Sequence, residues 1–286
     1  MPHRPRRSVL YMPGSNARAL EKARTLLADA LILDLEDAVA PDAKDLARAQ
    51  VTDAVKSGGF GRREVAIRIN SLDTPWGVAD IAAAAAAGPD AIVLPKAQSA
   101  ADIDRVTDAL RRAGAPERTR LWAMIETPLA ILRLAEIAGA ARHAGARLDC
   151  LIIGLNDLVK ETRVELDASR TAALTWLSLS VTAARAHGLD VLDAAYNNFR
   201  DPDGLRAECR QGRMLGFDGK TLIHPDQIAA ANEVYAPPAA EVAWSRKIIA
   251  AFESPENKGR GVIDLEGRMV ELLHADSARR LVAQAV

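Results

Sequence analysis

The chain has 286 residues, 49% of them hydrophobic, and a formal net charge of −1. That suits one large domain, because barrels of roughly 250 residues often fold as single domains, and the near-neutral charge argues against generic nucleic-acid binding. No apolar run approaches the length of a membrane span. The basic start (His3, Arg4, Arg6, Arg7) precedes an apolar stretch too short for a signal peptide and reads as a solvated terminus. Cys150 and Cys209 suggest a reducing cytoplasm, with neither a disulfide framework nor zinc-ligand spacing.

Taken in order, the chain repeats strand, turn, helix. Ser8–Met12 is a short apolar run, followed by PGSN and a helix from about Ala17. Ala30–Leu35 is the second strand, ending in Glu36 and Asp37, and Pro41–Lys56 is helical. Glu64–Asn70 is the third strand, with a helix over Pro75–Ala87 closed by Gly88. Ala91–Lys96 is the fourth, before a helix over Asp102–Arg112. Leu121–Thr127 (LWAMIET) is the fifth, and Pro128 opens the amphipathic run LAILRLAEIAGAAR, as proline does in a first helical turn. Leu148–Gly154 is the sixth strand, and Arg170–His187 is helical. Asp190–Ala194 is the seventh, with a helix over Asp203–Leu215. Gly219–His224 is the eighth, and a further helix starts at Pro225.

Eight short apolar strands alternating with helices predict parallel pairing with right-handed crossovers. Eight is the number that closes a TIM (β/α)8 barrel. A doubly wound open sheet is the alternative, but neither GxGxxG nor a P-loop follows the first strand. Residues 1–236 are expected to form the barrel. Residues 237–286 fall outside the repeat: a helix, a polar loop, a hairpin with strands at Val262–Asp264 and Arg268–Val270, and a final helix. This extension is expected to pack on its own barrel or on a neighbouring subunit.

Barrel active sites sit at the carboxyl ends of the strands. Those ends carry Asp34, Glu36 and Asp37; Arg68 and Asn70; Lys96; Glu126; Asn156 and Asp157; Asp193; and His224. Cys150 comes early in its strand and reads as core, which argues against thiol catalysis. Lys96 invites a Schiff-base reading, but neighbouring carboxylates favour an ion-paired or substrate-binding lysine. Glu126 ends a buried strand and needs a partner. With Asp157 it suits Mg²⁺, which takes one or two carboxylates and completes its shell with waters and ligand oxygens. Taken singly, each carboxylate also fits an ion pair with a buried Arg or Lys, but Arg68 at the same rim favours an anionic substrate bridging metal and guanidinium. Glu36 and Asp37 are read as catalytic, or as groups that cap a helix or orient Arg68. Asn16 is a helix N-cap by position. The PGSN turn offers N–H groups to a phosphate, with Lys22 and Arg18 nearby. His224 reads as structural or ligand-orienting. Trp122, Trp176 and Met124 read as core.

The motifs RSVLYMPGS, LILDLEDAV, AIRIN, VLPKA, MIET, GLNDL, GFDGKTLIHPDQ and VIDLEGRMVE, in this order, resemble the citrate lyase beta subunit-like family of the HpcH-HpaI aldolase superfamily. That group includes malyl-CoA, citramalyl-CoA and citryl-CoA lyases and a malyl-CoA thioesterase. The resemblance covers nearly the whole chain. It implies a TIM barrel, Mg²⁺ on Glu126 and Asp157, and a carboxylate or keto acid on Arg68. It also implies coenzyme A contacts from Tyr11, the turn with Asn16, and Lys22, with further contacts near Ile223 and His224 and with Lys96 in the substrate-binding set. Family members are typically trimers or hexamers whose C-terminal segment lies over a neighbour's active site. Two positions depart from the pattern. Glu271 stands where family lyases usually carry an acid/base Asp, and Asn16 where many relatives have Arg.

These readings give an expected function: a Mg²⁺-dependent retro-Claisen lyase that cleaves a 3-hydroxyacyl-CoA dicarboxylate, with Glu271 protonating the enolate. A thioesterase acting on (3S)-malyl-CoA or a related ester is the alternative, motivated by the changed tail carboxylate. A ligand-binding subunit and an aldolase acting on free hydroxy acids are further readings.

Overall fold

The computed structural model describes residues 4–285. Residues 6–234 make one compact unit, and residues 235–285, with Arg4 and Pro5, a second. The first unit is a closed parallel barrel of eight strands in sequential order. The strands are β1 (Ser8–Pro13), β2 (Ala30–Asp34), β3 (Glu64–Arg68), β4 (Ala91–Leu94), β5 (Arg120–Ile125), β6 (Leu148–Ile153), β7 (Asp190–Asp193) and β8 (Gly219–Leu222). The barrel closes where Ser8, Val9 and Leu10 pair with Lys220, Thr221 and Leu222.

Side chains alternate across a strand, so every second residue enters the barrel. Val9, Ala30, Ile32, Ala66, Ala91, Val93, Trp122, Met124, Cys150, Ile152 and Leu192 pack there as one apolar cluster, with Tyr11 against it. Trp122 and Cys150 are fully buried, as expected of core residues, whereas Trp176 is only half-buried. Burial pushes the Cys150 thiol far up, which leaves it a poor nucleophile. One more step of the alternation past this cluster reaches Asp34, Arg68 and Glu126. The same periodicity that builds the apolar core therefore delivers the charged groups to its upper layer.

Helices α1 (Ala17–Ala23), α2 (Lys44–Ser57), α3 (Gly77–Ala87) and α4 (Ala100–Arg112) follow the first four strands. The run after β5 is not one helix. It is α5 (Pro128–Leu132) and α6 (Leu134–Gly139), broken at Arg133, whose ψ is 17°. Hydrogen bonds from Arg133 N–H to Leu129 O and from Ile137 N–H to Arg133 O carry the backbone across the break. Thr127 caps α5, its Oγ1 accepting from Ala130 N–H at 3.1 Å, and Pro128 occupies the first turn. A short helix that the periodicity did not predict, α7 (Leu155–Thr162), follows β6, before α8 (Leu174–Ala186), α9 (Pro202–Leu215) and α10 (Ile228–Tyr235).

In the second unit, α11 (Ala239–Glu253) and α12 (Leu272–Gln284) pack with an antiparallel hairpin of β9 (Val262–Leu265) and β10 (Arg268–Glu271). Its core is Ile248, Ile263, Val270, Ala275 and Ala278. The hairpin loop is Glu266–Gly267, both at positive φ (54° and 76°), the conformation whose twist suits a two-residue connection. No helix among the described residues is long and apolar enough to cross a membrane.

Candidate active site

Asp34, the last residue of β2, organises the rim. Its carboxylate accepts from Arg68 Nε and Nη2 at 2.7 and 2.6 Å and from the Glu36 and Ala38 N–H groups at 2.8 and 3.1 Å. A bidentate carboxylate holds a guanidinium in one plane, which a single charge contact does not. The Arg68 guanidinium lies 4.8 Å over the Tyr11 ring, and its Nη1 is 2.9 Å from Glu36 Oε2 and 3.7 Å from Asp37 Oδ2. Burial opposes the Arg68 charge, but Asp34, with Tyr11 and Glu36, outweighs it and raises the group above the ordinary arginine range. Arg68 is thus a buried, braced cation rather than a free one. Glu36 pairs with both Arg68 and Lys96, an arrangement that suits the orienting role among the three read for it.

Glu126 lies just beyond β5 and is 2% exposed. Its Oε1 accepts from the Lys96 N–H at 2.7 Å. Lys96 reaches that position with φ at +50°, unusual for a residue with a side chain, while its Nζ bonds Glu36 Oε1 at 2.8 Å. One lysine therefore fixes two carboxylates, one through its backbone and one through its side chain. Burial opposes the Lys96 charge, and the bond to Glu36 together with the charges of Glu36, Glu126 and Asp37 outweighs it and raises its pKa. That favours the ion-paired lysine over the Schiff-base reading. Glu36 is raised by its own burial, against the pull of Arg68 and Lys96. Glu126 is pushed up to about 7, mainly by burial and then by the charge of Glu36.

Gly154, at the end of β6, shows how closely Glu126 is cradled. A Cβ added there would fall 2.4 Å from Glu126 Cβ and 2.5 Å from its Oε2. Asp157 is not at a strand end, as the repeat implied, but in the first turn of α7. Glu126, Asp157, Arg68, Tyr11, Asp37 and Ile223 share the wall of one cavity of about 520 Å³.

Among the described residues, no group of three or more His, Cys, Asp or Glu side chains forms a metal cage. The residues present nonetheless fit a hard dication. Glu126 and Asp157 are two of the four carboxylates on one cavity wall, and the buried Glu126 is forced towards its neutral form unless a cation offsets its charge. Such ions often take only one or two protein carboxylates.

The other expected binding residues have local roles. Asn16 caps α1, its Oδ1 accepting from Ala19 N–H at 3.1 Å, and Lys22 is exposed on the same helix. His224 caps the turn Pro225–Gln227, accepting from Asp226 N–H at 3.3 Å, and stacks on Phe199 with ring centroids 4.7 Å apart. Asn16, Lys22, Lys96 and His224 do not line the cavity, whereas Ile223 does. Glu271 stands at the N-cap position of α12, and its N–H donates to His274 Nδ1 at 2.9 Å. Met124, read as core, also lines the cavity, and its sulfur lies 3.8 Å from both the Tyr11 hydroxyl and Arg68 Nη1. Two residues of the rim carried no role in the sequence reading. Asp34 was one of three acids in a row of four, with nothing to rank them. Lys44 falls within the predicted helix Pro41–Lys56 and is 6% exposed.

This rim of braced cations and carboxylates, at the carboxyl end of a parallel eight-stranded barrel, defines a class of enzyme scaffold. Residues 7–225 match the HpcH/HpaI aldolase/citrate lyase family, and the chain belongs to it. It is 49% identical over 281 residues to a protein named (3S)-malyl-CoA thioesterase from Cereibacter sphaeroides, covering 98% of this chain and 95% of that one. It is 38% identical to the citrate lyase subunit beta of Escherichia coli, covering 99% and 94%. Among solved structures it resembles CitE from Mycobacterium tuberculosis in complex with magnesium, acetoacetate and coenzyme A. That match has a TM-score of 0.73, 31% identity and 97% coverage of both chains.

Proposed function

We propose that the protein is a Mg²⁺-dependent thioesterase that hydrolyses a short dicarboxylic acyl-CoA of the malyl-CoA type. The observation that carries this reading is the pairing of a braced Arg68 with two metal-suited carboxylates, Glu126 and Asp157, on one cavity wall. The 49% identity to a protein named for this hydrolysis supports it over the lyase reading. The CitE relative holding magnesium and coenzyme A together supports the metal and the thioester handle.

In this reading Glu126 and Asp157 hold the ion, which, when bound, polarises a ligand oxygen. Arg68 binds the free carboxylate of the acyl group. Asp34 and Glu36 keep the guanidinium planar and aimed, so the ester does not have to order it on binding. The attacking water gives up a proton as its oxygen adds to the thioester carbonyl carbon, the carbon–sulfur bond breaks, and the departing thiolate takes that proton back, so coenzyme A leaves as the thiol. Four carboxylates line the cavity. Asp34 is saturated, and Glu126 and Asp157 are assigned to the metal. Asp37, whose side chain is 64% exposed, is therefore assigned to take the proton of the attacking water.

The second reading is carbon–carbon cleavage with Glu271 as the acid. It is favoured by the citrate lyase relatives and by the position of Glu271 in the tail motif. Mass spectrometry of products from malyl-, methylmalyl-, citramalyl- and citryl-CoA with Mg²⁺ separates the two. Free malate and coenzyme A are expected; glyoxylate with acetyl-CoA would replace the hydrolase reading with the lyase one.

A further inference from the structure

We propose that Lys44 is a positioning residue, a tethered cation that sets the β2–α2 turn and through it the aim of Glu36 and Arg68. The inference rests on the reading of Arg68 as the carboxylate-binding group.

Lys44 begins α2, on the outer side of the barrel, yet its ammonium is spent inward. Nζ donates to Leu35 O at 2.8 Å, Glu36 O at 2.7 Å and Asn70 Oδ1 at 2.8 Å. An ammonium has three protons, and all three are placed. The Trp76 ring lies 5.3 Å away on another side.

Asn70 extends the clamp. Its amide donates to Leu35 O at 2.9 Å and to Asp80 Oδ2 at 2.7 Å, and its backbone N–H donates to that same oxygen at 2.9 Å. Asp80 is 1% exposed and takes Arg48 Nε at 2.7 Å. The peptide at Leu35 and Glu36 is thus gripped from two sides. Lys44 and Asn70 hold its carbonyls, while Arg68 O accepts from Leu35 N–H at 2.9 Å and Asp34 from Glu36 N–H. Glu36 leaves this clamped peptide to meet Arg68 and Lys96, so its direction is set by backbone that Lys44 holds.

The arrangement is that of a small monovalent cation among oxygens. Removing it leaves buried acceptors without a donor, which costs more than the net worth of the bonds lost. A guanidinium cannot converge three donors on one point, so Lys44→Arg is not a substitute. A small free amine is.

The test uses the full chain carrying Lys44→Ala, with Lys44→Gln as a second variant should the first fold poorly. Hydrogen–deuterium exchange is followed in the peptide 34–39, with 190–194 of β7 as internal control. Turnover of malyl-CoA is measured with and without methylammonium chloride, against tetramethylammonium chloride. Exchange in 34–39 is expected to quicken roughly tenfold while the control does not change. The kcat should fall about 10- to 100-fold, with KM changing less, as a displacement of order 1 Å at a site would produce. Methylammonium, and not its tetramethyl form, should restore protection and at least part of kcat.

Unchanged exchange and kcat, or equal quickening at both peptides without rescue, would overturn the role. If the unaltered protein turns over none of the CoA esters, the functional reading fails. The exchange and rescue arms still decide whether Lys44 is the brace.

Discussion

The two ends of the barrel use the same device for different ends. At the amino end Arg6 lies 4.8 Å over the Trp122 ring and bonds Glu64 through Nε and Nη2 at 2.7 and 2.8 Å. Its remaining donors meet Asp190 at 2.8 Å and Asp149 at 2.6 Å. At the carboxyl end Arg68 lies 4.8 Å over Tyr11 and bonds Asp34 in the same bidentate way. Both arginines are 7% exposed. They differ in what surrounds them. Around Arg6 three carboxylates consume the donors and the layer is closed. Around Arg68 a cavity of about 520 Å³ opens, and a further carboxylate, Glu126, is kept near neutral pH by burial. Bidentate pairing over an aromatic ring therefore marks a rigid guanidinium, not a functional one. What sets the carboxyl end apart is the cavity and, among the described residues, a buried carboxylate, Glu126, that forms no ion pair.

The sharpest way to break this comparison is to make the same substitution at both ends. Arg68→Lys is expected to lower kcat/KM for the CoA ester by about 10³ while the fold persists, because a point charge replaces a planar fork. Arg6→Lys is expected to leave kcat nearly intact but to cost about 3 kcal/mol of stability, as partly breaking a buried pair does. Steady-state kinetics and denaturant titration read the two effects. Equal loss of activity at both ends would erase the distinction.

Next in size is Gly154→Ala. Its methyl group would occupy the space against Glu126 Oε2, and a drop of about 10² in activity with weakened Mg²⁺ binding is expected. A variant of full activity would remove Gly154 from the site.

The pH dependence of the metal-free protein is a smaller effect with a definite sign. Glu126 has its pKa raised from 4.5 to about 7 in the fold. Between those values the native state holds a proton that the unfolded chain has lost. Stability should therefore fall as pH rises from about 4.5 to about 7, then level off. Mg²⁺ should flatten the slope, and Glu126→Gln should reduce it to the part that Glu36, also raised by burial, contributes. A thermal-denaturation series over that range, with and without the ion, checks all three. The smallest effect expected is from Glu271→Asp, which shortens the tail carboxylate by one methylene: a change of a few-fold in rate, with any gain appearing as a rise in the glyoxylate share of products.

Much of the barrel is legible in the chain because its strands are buried on both faces and read as unbroken apolar runs. The places of Arg68 and Glu126 on the cavity wall are legible because each charge ends such a run. Other features are not. Asp157 sits on α7, signalled only by Leu155 and Leu158, both buried and three residues apart; that spacing is too short to separate a helix from a loop. The break at Arg133 has no proline or glycine to announce it. Lys44 is the clearest case: a lysine beginning an amphipathic helix looks solvated, and only tertiary structure brings two carbonyls and the Asn70 amide around its ammonium. The Asn16 cap is the reverse case, where local turn chemistry agreed with the fold.

The central claim is that Glu126 is a metal-binding carboxylate held ready by burial. Calorimetric titration of Mg²⁺ at pH 7, in two buffers of different ionisation enthalpy, tests it most directly. With a pKa of about 7, Glu126 should release about half a proton as the ion binds, and Glu126→Gln should lose both the proton release and most of the affinity. Binding of equal strength in the two proteins, with no proton released, would contradict the account.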